Sequence, residues 1–310
     1  MSKQPRHPFG GVYAATLCLM TEDFQVDEIA LAGHVSAMTA VPGIRGLLCN
    51  GHAGENFVLN RAEKRRVIEV ARASAGAEIL IAAGINQESS EELAIEAREA
   101  VQAGADAVIV FPPNSWSLSM DRRAVLHHHR AVLEATDRPI MLYQAPVGAG
   151  CMAYPAEILR DLVVLPRVVA IKEGSWETAT YEANRRLVKS LAPEVAVLAS
   201  GDEHLLPCFV LGSEGSQVSL AVIVPEAIVA LDAAVRGGDL AAAQAAHEII
   251  YPLAKAIYGT APRGLATARL KACLKLLGRL DCAAARPPTP ALSDPEIAAL
   301  RTVLHSVGLL

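Results

Sequence analysis

The sequence has few aromatic side chains: Phe, Trp and Tyr make up 4% of its 310 residues. Its apolar surplus is carried by Ala, Val and Leu, which suits helices laid on buried parallel strands. A stripe dense in arginine or lysine is absent, and the formal charge is −5, so a general nucleic-acid-binding role is excluded. Close Cys-x-x-Cys pairs are absent as well. The six cysteines (Cys18, Cys49, Cys151, Cys208, Cys273 and Cys282) are scattered, which argues against a zinc ribbon and against a disulfide framework. They read as thiols in a reducing cytoplasm. Apolar runs of membrane-spanning length are missing, and the opening MSKQPRHPFGG lacks the apolar run of a signal peptide. A soluble cytoplasmic protein without a membrane partner is expected. A glycine-rich dinucleotide fingerprint follows none of the early strands, which weakens an open doubly wound sheet.

What the chain does contain is a core-forming composition: 52% hydrophobic, 20% charged, mean hydropathy +0.30. Its length suits one large α/β domain or two small ones. After a short polar arm, strands are predicted near 11–17, 44–50, 78–84, 105–111, 139–143, 168–173, 195–199 and, more weakly, 215–220. Helical spacing lies between them, as at 27–38, with a break at Pro42-Gly43. Asn60 is placed to cap a helix from Arg61, and Glu63 stands where a capping box expects it. Eight strand–helix units predict a closed (β/α)8 TIM barrel over residues 1–237. Residues 238–310 predict helices at 240–258, 265–277 and 294–307. They form an appended C-terminal helical layer that belongs to the same structural unit.

The stretch Val168-Val169-Ala170-Ile171-Lys172-Glu173-Gly174 reads as a buried strand that delivers a lysine at its C-terminal end. Burial disfavours an ammonium, and a neutral amine can attack a carbonyl to form a Schiff base. The alternative is a lysine at the barrel rim, paired with Glu173. Active sites of such barrels sit at the C-terminal ends of the strands, and Tyr143 occupies that end on the preceding strand. A tyrosine beside a cationic iminium is better able to act as a phenolate, so Lys172 and Tyr143 form a nucleophile and proton-shuttle pair. Gly51-His52-Ala53-Gly54-Glu55 is either a backbone cradle for a carboxylate or a tight β-to-α turn. Glu55 is assigned to bracing that loop. The consecutive His127, His128 and His129 cannot all face one metal and are read as surface and packing residues.

Taken in order, these segments resemble the dihydrodipicolinate synthase / N-acetylneuraminate lyase family of class I Schiff-base aldolases and dehydratases. The likeness covers nearly the whole chain. It is carried by Gly51 to Glu55, Arg61-Ala62-Glu63-Lys64, Gly84-Ile85-Asn86, Ala103 to Ala107, Pro112-Pro113, Tyr143-Gln144-Ala145-Pro146, Ile171-Lys172-Glu173 and the late Lys271 to Gly278. The resemblance implies that Lys172 attacks the 2-oxo group of pyruvate or a longer 2-oxo acid. The backbone of Gly51, His52 and Ala53 would hold its carboxylate, and Tyr143 would shuttle protons. It implies no cofactor and no metal, and a homo-oligomer, either dimer or tetramer.

The sequence departs from the family pattern at three places. His52 and Ala53 replace the usual hydroxyl residues after Gly51. Asn114-Ser115-Trp116 replaces a tyrosine after Pro113. Gly148 stands where the synthase carries an arginine for its second carboxylate, so lysine-biosynthetic synthase activity is not expected. His52 is either a substitute proton carrier or an ordinary loop histidine. Trp116 either walls the distal pocket or meets another subunit. Gln144 either touches a substrate hydroxyl or sits behind the strand end. Ser216 is a candidate substrate contact, and Asp202 is assigned to organising its loop. The expected function is a lyase that cleaves or dehydrates a hydroxylated 2-oxo acid, such as a 2-keto-3-deoxy sugar acid. The alternatives are a synthase joining pyruvate to an aldehyde, or a non-catalytic sensor on the same fold.

Overall fold

The computed structural model describes residues 7–310, so most of the predicted N-terminal polar arm lies outside the described residues. Strand β1 (Gly11–Ala15) leads into α1 (Glu28–Thr39), β2 (Ile44–Cys49) and α2 (Arg61–Ser74). The alternation continues through β3 (Leu80–Ile85), α3 (Ser90–Gln102), β4 (Ala107–Val110), α4 (Arg122–Ala135), β5 (Ile140–Gln144) and α5 (Ala156–Val163). It ends with β6 (Val168–Glu173), α6 (Thr178–Leu191), β7 (Ala196–Ala199), α7 (Leu205–Val210), β8 (Gly215–Val218) and α8 (Pro225–Gly237). Each strand pairs in parallel with the next, and β8 pairs with β1, closing the barrel. Helices α9 (Leu240–Ala254), α10 (Ala266–Leu276) and α11 (Asp294–Ser306) complete the appended layer.

Local chemistry sets the helix ends. The Asp27 side chain accepts from the Ala30 N–H at 3.0 Å and starts α1. Asn60 and Glu63 form the anticipated reciprocal box, at 2.9 and 2.8 Å. Gly238, in the left-handed region at φ 75°, closes α8. One helix is shorter than its apolar spacing predicts. Pro252 lies within α9 and has no N–H to donate, and the helix ends in a π-turn over Lys255–Gly259 instead of running on as α-helix to Tyr258.

Two apolar layers result from the strand period of two. Tyr13, Leu48, Ile109, Phe111, Met141, Tyr143 and Leu198 point into the barrel, while their neighbours pack outward against the helices. Gly46 makes the inner layer possible, because a Cβ there would sit 2.4 Å from the Tyr13 ring. Among the described residues, no helix is long and apolar enough to cross a membrane.

Candidate active site

A cavity of about 380 Å³ opens at the C-terminal ends of the strands. Strand parity decides what reaches it. On β5, Met141 and Tyr143 face inward; on β6, Ala170 faces inward and Lys172 reaches the cavity. Tyr143 is the direct partner of Lys172 in the β5–β6 register. The Lys172 Nζ lies 5.5 Å from the centre of the Tyr143 ring and 5.9 Å from that of Phe111. Glu173, one residue on, faces the other way. It accepts hydrogen bonds from Asn184 at 2.8 Å and from the Ser175 hydroxyl at 3.0 Å, so it is not the partner of Lys172.

Burial pulls the Lys172 ammonium down to about 8, and the Asp202 carboxylate only partly opposes that shift. About a tenth of the amine is therefore neutral at pH 7. The Tyr143 phenol moves in the opposite sense: burial pushes it above its ordinary range, and Glu173 adds to the effect. The phenol therefore stays protonated near neutrality. His52 packs on Phe111 at 4.6 Å and edge-on to Tyr143 at 5.4 Å between ring centres. Burial first, and Lys172 second, pull its imidazole down to about 4. The ring nonetheless borders the open cavity and is exposed there.

The segment carrying His52 is a short 3₁₀ turn, His52–Gly54, entered at Gly51. The Gly51 carbonyl accepts from the Gly54 N–H at 3.0 Å, which leaves the first N–H groups of the turn, those of His52 and Ala53, without an acceptor inside it. Gly51, His52 and Ala53 all line the cavity. Glu55 braces the turn from behind: its buried carboxylate meets Lys271 of α10 at 2.5 Å and accepts from the Arg286 N–H at 2.8 Å.

Three anticipated contacts are absent from the cavity wall. Gln144 faces outward on β5 and donates to the Tyr154 carbonyl at 3.1 Å, the behind-the-strand alternative. Ser216 is one residue out of phase, and its neighbours Gln217 and Ser219 line the cavity instead. Trp116 packs edge-on against His128 at 5.3 Å in the outer core. The tryptophan that walls the cavity is Trp176, held at a left-handed φ of 61° in the loop after β6 and packed against Tyr258 at 5.3 Å.

Asp202, Ser219 and Tyr258 form a polar corner beside Lys172. The Asp202 carboxylate accepts from the Leu220 N–H at 3.0 Å, and the Ser219 and Tyr258 hydroxyls are 2.5 Å apart. Burial pushes Asp202 up to about 6 against the pull of that N–H and of Lys172. Tyr258, Arg263 and Thr267 reach the wall from the appended layer. Their sequence neighbourhoods carry only helical spacing, and nothing in that spacing points at the barrel mouth. Trp176 could have been suspected, being one of two tryptophans and four residues past Lys172.

A closed parallel barrel thus carries, side by side at its mouth, a lysine whose charge burial disfavours and a phenol. The dihydrodipicolinate synthetase family model matches residues 8–307, and the chain belongs to that family. It is 30% identical over 302 residues to a 4-hydroxy-tetrahydrodipicolinate synthase of Methanothrix thermoacetophila, covering 97% of both chains. It is 32% identical over 289 residues to one of a Synechococcus species, covering 93% of this chain and 91% of the relative. Its fold superposes with a TM-score of 0.89 on YagE, a prophage protein of the same family from E. coli K12 solved in complex with pyruvate. That match is at 24% identity and covers 97% and 99% of the two chains.

Proposed function

We propose that the protein is a class I Schiff-base enzyme acting on a 2-oxo acid such as pyruvate, and that it joins the resulting enamine to an aldehyde. Lys172 attacks the 2-oxo carbon as the neutral amine, and loss of water gives an iminium. Tyr143 protonates the departing water, and the phenolate left behind takes a proton from C3; this restores the phenol and gives the enamine, whose C3 then bonds to the aldehyde carbon. The former aldehyde oxygen takes a proton from Tyr143, and water hydrolyses the iminium to release a 4-hydroxy-2-oxo acid and free Lys172. The reverse sequence is aldol cleavage. The N–H groups of His52 and Ala53 would hold the 2-carboxylate.

One observation carries this reading: the Lys172 amine, pulled down to about 8, stands open to a cavity beside its register partner Tyr143. A sensor would have its nucleophile lost or blocked, so the same observation weighs against that alternative. Relatives named as synthases along nearly the full chain favour condensation over the cleavage or dehydration first expected. A cytoplasmic site suits the six free thiols. A homo-oligomer remains part of the proposal, as does one structural unit spanning residues 1–237 and 238–310; sedimentation and a single thermal transition test them.

The decisive experiment is borohydride trapping with pyruvate, read by intact mass and peptide mapping, with Lys172→Ala as the control. A reduced pyruvyl adduct on Lys172 is expected. A folded protein left unmodified by pyruvate and by a panel of longer 2-oxo acids would overturn the reading.

A further inference from the structure

Helix α10 has a cavity on each side. Ala266, Thr267 and Leu270 face the barrel mouth, whereas Ala268, Ala272, Lys275 and Leu276 line a second cavity of about 720 Å³. The helical period sets these two groups on opposite faces, and the cavities share no lining residue. Ile297 and Arg301 of α11 close the second cavity on one side, and Glu22 and Phe24 of the loop before α1 close it on another. Its remaining wall is the irregular strap between α10 and α11, which contributes Ala283, Ala284 and Ala285.

The wall is graded from floor to rim. Ala268 and Ala272 form a buried apolar floor, and their single methyl groups leave the space above it open. Lys275, Arg301 and Glu22 are exposed at the rim. The side chains of Lys275 and Arg301 make no hydrogen bond or ion pair among the described residues. Two cations against one carboxylate leave the rim with a surplus of one positive charge. An aliphatic chain on the alanine floor, with one carboxylate at the rim, complements both the apolar and the charged part.

The strap also reaches the first cavity. The Ala284 carbonyl accepts from the Lys271 Nζ at 2.6 Å, and the Arg286 N–H donates to Glu55 at 2.8 Å. The Arg286 guanidinium donates to the carbonyls of Phe24 at 2.5 Å and Val58 at 2.9 Å, and to both carboxylate oxygens of Glu63. Phe24 and Ala284 line the second cavity, while Glu55 caps the His52–Gly54 turn. One set of bonds therefore holds the wall of one cavity and the floor turn of the other. A ligand that fits only when the strap is seated favours the seated strap, and with it the braced turn.

We propose that the second cavity is an effector site for a small aliphatic monocarboxylate, whose binding seats the strap and so strengthens substrate binding at the turn of His52 and Ala53. The coupling rests on the Schiff-base reading of the first cavity; binding in the second does not.

Hexanoate is the probe, with hexan-1-ol and hexylamine as uncharged and cationic counterparts of the same chain length. Calorimetry is expected to show saturable binding of hexanoate alone, in the wild type and in Lys172→Ala alike. Hexanoate should also slow amide hydrogen exchange across residues 283–292. The double variant Lys275→Gln/Arg301→Gln is expected to bind hexanoate about 10-fold more weakly, while pyruvate trapping without hexanoate stays within about twofold. With hexanoate present, the pyruvate concentration for half-maximal borohydride trapping should fall about fivefold in the wild type and stay unchanged in the double variant. No saturable binding, or equal binding of the three compounds, would overturn the proposal. So would loss of binding in Lys172→Ala, which would put hexanoate in the first cavity. Binding that leaves pyruvate trapping unchanged would overturn the effector role. Strap protection that grows with protein concentration instead of with hexanoate would assign the cavity to a second copy of the chain, and would overturn the proposal as well. A wild type that takes no pyruvate adduct is a separate failure, that of the Schiff-base reading, and calorimetry then decides the site.

Discussion

Tyr143 and Lys172 are direct partners across β5 and β6, and the ammonium of one stands 5.5 Å from the ring centre of the other. Parallel register fixes this geometry: both residues lie at the C-terminal ends of their strands and both reach the cavity. Neither loop flexibility nor a rotamer change is needed to bring the amine and the phenol to one cavity. Tyr143→Phe keeps the ring that packs on Phe111 and His52 and removes only the hydroxyl. Turnover is expected to fall by about 10²- to 10⁴-fold, while pyruvate is still trapped on Lys172. Retention of full turnover would remove Tyr143 from the chemistry.

The pH dependence of adduct formation follows from the direction in which Lys172 is shifted. Its neutral form gains as pH rises, so the rate of trapping climbs about tenfold per unit below 8 and levels off above it. The Asp202 carboxylate favours the charged form of Lys172. Asp202→Asn should therefore move the apparent pKa in the trapping profile lower still. A profile that moves upward would contradict the electrostatic relationship between the two groups.

Stability carries the same signature with a defined sign. Between pH 8 and the ordinary lysine value of 10.5, the unfolded chain holds a proton that the folded chain has released, so stability rises with pH across that window. Below pH 8 both states are protonated, and the folded state bears the full desolvation cost. Lys172→Met should raise stability at pH 7 by about 3 kcal/mol, and that gain should fade above pH 10.5. Thermal melts of the two proteins at pH 7 and pH 11 measure the difference.

The Lys271–Glu55 pair is buried at both ends, with side chains 0% and 2% exposed. Lys271→Met leaves the Glu55 carboxylate with the Arg286 N–H but without its counter-charge. A loss of about 3–5 kcal/mol is expected, and the double variant Lys271→Met/Glu55→Gln should recover part of it. Chemical denaturation of the wild type and the two variants tests this. Equal stability of wild type and the single variant would show the pair to be dispensable.

The barrel and the place of Lys172 at its mouth were legible in the sequence because period-two strands with Gly and Pro stops are a local signal, and a lysine ending such a strand inherits its place from the fold. The capping box at Asn60 was legible for the same reason. Ser216 shows where locality fails: β8 is four residues long, and a phase error of one sends the wrong side chain to the cavity. Trp116 and Trp176 both follow strand ends, and only loop geometry separates them. Arg263 and Tyr258 lie more than eighty residues beyond Lys172. Their presence at the mouth depends on how the last helices fold back, which no window of sequence encodes.

Helix α10 lines the cavity with Ala266, Thr267 and Leu270, and one residue further on it is anchored through Lys271 to the turn that holds His52 and Ala53. On the proposed reading, bond formation rests on the barrel strands and part of the cavity wall on the final helices. Variation confined to the tail residues that line the cavity is then expected to change the second substrate, provided the Lys271–Glu55 contact is kept. A chimera carrying the final helices of a relative should still trap pyruvate while its preference among longer 2-oxo acids changes; identical preferences in chimera and parent would refute that division of labour.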